Sequence, residues 1–90
     1  SCMITSRQVR AARALLGWTQ ETLADKALVA LTSLKRFESE NGLPVREDTR
    51  DRVRAALEAS GIIFLVSERG EGVMLVGNPN VARKTARRRT

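Results

Sequence analysis

A change of hydrophobic period at Gly61 constrains this chain more than any other feature. Up to about residue 59 the apolar residues recur at helical spacing, whereas Ile62-Ile63-Phe64-Leu65-Val66 is β-branched and aromatic with no polar alternation. Val73-Met74-Leu75-Val76 has the same character on the far side of Ser67–Gly72. The two runs are expected to pair as a β-hairpin, with Gly70-Glu71-Gly72 in its turn. Strands without alternation have no polar face to offer water, so the helices must cover one side and something else the other. A second copy of the chain is the simplest cover.

Before Gly61 the helices are legible from their caps and spacing. Thr5-Ser6-Arg7-Gln8 has the form of a capping box, and Val9, Ala12, Leu15 and Leu16 follow on one face, which predicts a helix from Ser6 to Leu16 ended by Gly17. Thr19 caps a second helix, Gln20 to about Ala27, with Glu21 and Asp25 early and Lys26 late, as the macrodipole favours. Leu31, Leu34 and Phe37 mark a short third helix through Glu38, and Asn41-Gly42-Leu43-Pro44 breaks the chain. Thr49, Val53, Ala56 and Leu57 mark a fourth over 47–59. The expected fold class is mainly α, four to five helices followed by a C-terminal hairpin that forms a dimer sheet. Its expected divisions are a helical domain over 4–60, a dimerisation hairpin over 61–78 and a flexible basic tail over 79–90.

Ninety residues make one small domain. Histidine and tyrosine are absent and the single cysteine is Cys2, which leaves no internal disulfide, no evident metal site and no obvious general base. Glu47, Asp48, Asp51, Glu68 and Glu71 read as solvated acids. Gly70-Glu71-Gly72 lacks the Lys-Ser/Thr and helix of a phosphate loop. No enzymatic activity, cofactor, metal or small-molecule ligand is therefore expected. The longest uncharged apolar run, 61–66, is far below the ~20 residues that span a bilayer, and no signal segment opens the chain. With Met3 as a start and Ser1 and Cys2 outside the fold, a cytoplasmic protein without a membrane partner is expected.

The charge is +6, and its distribution carries the information. Arg83, Lys84, Arg87, Arg88 and Arg89 supply five units without an acid among residues 81–90, and Arg7, Arg10 and Arg13 stand without an acid in the first twenty. Two basic ends on a nearly neutral body point to an anionic partner, nucleic acid before membrane surface. A solubilising role for the tail is the alternative.

The segment Gly17-Trp18-Thr19-Gln20-Glu21-Thr22-Leu23-Ala24-Asp25-Lys26-Ala27, followed by Val29 and by Leu34-Lys35-Arg36-Phe37-Glu38, resembles the helix-turn-helix of the XRE (Cro-like, phage-repressor) family over about residues 5–60. The most specific matches are Thr19-Gln20, Leu23-Ala24, Val29, Leu34 and Glu38. Three positions depart from the pattern. Leu28 stands where the corner normally has glycine, which leaves the corner open to rebuilding. Ala30 replaces a hydroxyl cap, and Glu40 stands where glycine often ends the third helix.

The resemblance implies double-stranded DNA as partner. It puts Leu31, Thr32, Lys35 and Arg36 at base edges, with Arg36 the strongest candidate and Lys35 leaning toward phosphate. Leu31 is equally read as a packing residue. Backbone contacts are implied for Thr19, Gln20, Ser33, Arg46 and Arg10; the alternatives are a cap for Thr19 and a plain solvated surface for Ser33 and Arg10. Arg13 and Glu38 occupy the positions of a structural ion pair, and Trp18 those of a plug between the first two helices. Ile62, Phe64, Leu65, Val66, Val73 and Leu75 are expected at the dimer interface. The functional expectation is a DNA-binding transcriptional regulator, a homodimer on an inverted-repeat operator that controls its own or a neighbouring operon. The alternative is an antitoxin or antiactivator that uses the hairpin to mask a protein partner.

Overall fold

The computed structural model describes residues 4–39 and 45–77. Helix α1, Ser6–Leu16, begins at Thr5, whose Oγ1 accepts from the Gln8 amide N–H while Gln8 Oε1 accepts from the Thr5 N–H, a reciprocal box. Gly17 closes it in the left-handed conformation, φ 71°. Thr19 caps α2, Gln20–Ala27, by accepting from the Thr22 N–H. A three-residue corner leads to α3, Leu31–Glu38, and the chain resumes in α4, Glu47–Ala59. Strands β1, Ile62–Ser67, and β2, Gly70–Leu75, form one antiparallel pair. Among the described residues this gives four helices and a two-stranded sheet, a mainly α architecture.

The core lies where the four helices meet the hairpin. Val9 and Ala12 of α1, Leu23, Ala24 and Ala27 of α2, Leu34 and Phe37 of α3, and Val53 and Leu57 of α4 are buried, with Ile4 and Ile62 closing the ends. The alanines of α2 let neighbouring helices approach closely, and each fully buried leucine contributes ~1.5–3 kcal/mol of hydrophobic burial. Trp18 is half-buried against this core as expected, and Lys26 Nζ lies 5.6 Å from its ring centre.

The hairpin differs from expectation in two respects. Its turn is the two residues Glu68-Arg69, and Gly70-Glu71-Gly72, expected in the turn, forms the start of β2 in register with Leu65, Val66 and Ser67. Pairing thus runs on to Ser67 and Gly70, the last rung before the turn. Ile62, expected at a dimer surface, is 2% exposed within the chain's own core and has no surface left to give a partner. Phe64 and Val73 are half-buried against that core. Leu65, Val66 and Leu75 are exposed, and so are Ile63, Met74 and Val76 of the same two apolar runs.

Polar bonds fasten the hairpin to α1. Gln8 Nε2 donates to the carbonyls of Leu65 (3.2 Å) and Gly72 (2.9 Å), which face each other across the ladder. Glu71 Oε2 accepts from Thr5 Oγ1 at 2.9 Å and from Arg7 Nε at 3.0 Å. Glu71 is thus a tie between hairpin and helix and not the free surface acid expected. Its carboxyl is held below the ordinary 4.5, first by the Arg7 hydrogen bond and then by that of Thr5. No helix among the described residues is long and apolar enough to cross a membrane.

Candidate nucleic-acid interface

The corner between α2 and α3 sets the geometry of this region. Leu28 takes the glycine-type conformation, φ 60° and ψ 44°, and its N–H closes α2 on Ala24 and Asp25 carbonyls. The corner therefore keeps its shape without glycine. Its exposed carbonyl accepts from Arg52 Nη1 at 3.3 Å, while Arg52 Nε pairs with Asp48 Oδ2 at 3.2 Å, so α4 supports the turn. Helix α3 then starts at Ala30 with no side-chain cap.

One face of α3 is locked. Leu34 and Phe37 are in the core, and Leu31 is half-buried against it, which favours the packing reading of Leu31. Glu38 is buried, its side chain 3% exposed, and its carboxylate is met bidentately by Arg13: Nε to Oε2 and Nη2 to Oε1, both 2.7 Å. Arg13 Nη1 also donates to the Trp18 carbonyl, 3.1 Å. A buried carboxylate requires every lone pair it can fill, and Gln20 Nε2 supplies a third donor to Oε1 at 3.0 Å. Arg10 Nη1 donates to the Glu38 carbonyl at 2.5 Å. Glu38 thus ties α3 to both α1 and α2.

Gln20 and Arg10 each hydrogen-bond to Glu38, because satisfying the buried end of α3 recruits them. Thr19 acts as a cap, with its hydroxyl also 3.0 Å from that of Thr22. Ser33 is half-buried, and Arg46 is exposed at the N-cap of α4 without a side-chain cap bond.

The opposite face of α3 presents Thr32, Lys35 and Arg36, three and four residues apart and all exposed. Lys35 and Arg36 are exposed and make no hydrogen bond or ion pair with the described residues. Arg50 of α4, which the sequence did not single out, lies with its guanidinium 5.5 Å from the Phe37 ring centre, and its buried Nε has no hydrogen-bond partner. Gln8, a polar residue on the buried stripe of α1, was legible only as a capping residue; its position beside Val9 was the one signal of a further partner. Glu40, Asn41–Pro44 and the basic residues Arg83 to Arg89 lie outside the described residues.

Chemically the region offers two flexible or planar cations and a hydroxyl on a helix of fixed orientation, which suits anionic or hydrogen-bond-accepting surfaces and provides no nucleophile with an adjacent base. Compared with protein-family models and with curated protein sequences, the chain matches none.

Proposed function

We propose that the chain is a sequence-specific DNA-binding regulator of transcription, in which α2 and α3 act as a helix-turn-helix and two copies bind an inverted-repeat operator, that of its own or a neighbouring operon. One observation carries this reading: Thr32, Lys35 and Arg36 share an exposed face of α3 whose other face is anchored by Leu34, Phe37 and the Glu38 ion pair. A helix that reads bases must hold its side chains in register with the groove, and an anchored helix with free donors meets that requirement. Arg36 is assigned to guanine O6 and N7, Thr32 to a neighbouring base edge, and Lys35 and Arg46 to phosphates.

Selection from a random DNA pool, followed by band-shift titration, tests the proposal. A defined operator is expected, and Arg36→Ala should weaken it by ~1–3 kcal/mol while random DNA is much less affected. Equal loss on both DNAs would reject Arg36 as the reader, and a pool that yields no bound sequence would reject the function.

The exposed apolar side chains of the hairpin favour one second reading, an antitoxin or antiactivator whose partner protein covers them. The purified chain discriminates the two. The regulator is a soluble homodimer that shifts DNA, whereas the interaction module aggregates alone and has no DNA affinity.

A further inference from the structure

Gly72 has no reason within its own chain to be glycine. Its φ is not among the positive values, and a Cβ built there meets nothing within 4 Å. Glycine weakens a strand interior and commonly marks a place where another backbone or side chain comes close. Gly72 stands opposite Leu65 in the ladder, and residues directly opposed share one face of the sheet. That face, turned away from the helices, carries Ile63 beside Met74 on one rung and Leu65 beside Gly72 on the next, with Ser67 beside Gly70 above. It bears no charged side chain. A knob and a hole therefore lie side by side on this face; the wider depression around them, about 440 Å³, runs over the hairpin end and is also bordered by Arg69 and Glu71.

We propose that this outer face docks on the same face of a second copy, so that Leu65 of each copy drops over Gly72 of the other. A two-fold axis laid between the sheets along the strands exchanges β1 for β2 and leaves each rung at its own height. Under that operation the knob meets the hole twice, and the Ile63–Met74 rungs stack on each other between the copies. The sheets then lie ~10 Å apart in aligned packing, as sandwiched sheets do. Ile63, Leu65, Met74 and Val76 are 42–46% exposed. With the glycine floor they form a contiguous apolar patch of a few hundred Å² per copy, the scale at which exposed apolar surface marks an interaction site. The match of large to absent side chain is self-complementary under that two-fold, which is the ground for a second copy as the occupant.

The inference rests on the two-copy part of the proposed function and not on its DNA part. Sedimentation of the purified full chain without DNA tests it. The unmodified protein is expected to be a dimer at micromolar concentration. Gly72→Leu fills the hole in an open part of the monomer, so helical signal should persist while the dimer dissociation constant rises at least tenfold; Gly72→Ala should give a smaller rise. Adding Leu65→Gly to Gly72→Leu exchanges knob and hole and should recover most of the loss. A monomeric unmodified chain, a Gly72→Leu dimer as tight as the original, or a double variant without recovery would each overturn the proposal. A dimer obeying this pattern that shifts no DNA would instead sink the DNA reading and leave the interface standing.

Discussion

Leu28 shows how much a single residue can tolerate for the sake of a corner. A leucine at φ 60° carries ~1–2 kcal/mol of backbone strain, and its side chain, 76% exposed, recovers almost none of that by burial. The strain persists because the α2 N–H bonds, the Arg52 donor and the packing of both helices all require that turn. Leu28→Gly should therefore stabilise the protein by ~0.5–1 kcal/mol, the relief of strain exceeding the extra freedom glycine gives the unfolded chain. Chemical denaturation gives the measurement, and an unchanged or lowered midpoint would show that the corner is not strained. The sequence marks Leu28 as a departure but is silent on whether the backbone bends or the residue does. Gln20 and Arg10 were illegible for a related reason: their partners are a carboxylate with one donor already assigned and a main-chain carbonyl, and neither leaves a trace in residue spacing.

At the scale of elements, hydrophobic period marks the four helices and two strands of the described residues, with side-chain caps added at α1 and α2, because each of those signals is local. The fastening of the hairpin to α1 is neither local nor periodic. It joins Gln8, Thr5 and Arg7 to residues 57 to 66 positions away through single polar bonds. The Glu71 tie has a pH signature. Its carboxyl is held below 4.5 in the folded chain, so the stabilisation it supplies is present above 4.5 and fades as pH falls through the lowered folded value. The gap in melting temperature between the unmodified chain and Glu71→Gln should be constant at neutral pH and close on acidification below 4.5. A gap that stays open at acid pH would mean that Glu71 acts by shape and not by charge.

For the molecule as a whole, the excess of charge is concentrated at one end of the sequence. The excess of Arg83, Lys84, Arg87, Arg88 and Arg89 belongs to a segment with almost no apolar residues to bury. If those residues follow a DNA backbone, a chain ending at Asn80 should lose up to ~0.9 from the slope of log affinity against log salt for each phosphate contact given up. The fold should be retained, and an unchanged slope would assign the tail to solubility.

The bond from Gln8 to the Gly72 carbonyl also bears on how the protein is made. The two residues are 64 positions apart, which at ordinary rates of synthesis separates them by roughly 3–13 s. Throughout that interval the Gln8 amide is short of both carbonyls it will bond, and β1 and β2 are not yet there to cover the apolar side of α1. The newborn chain must wait for its last strand before its first helix is complete.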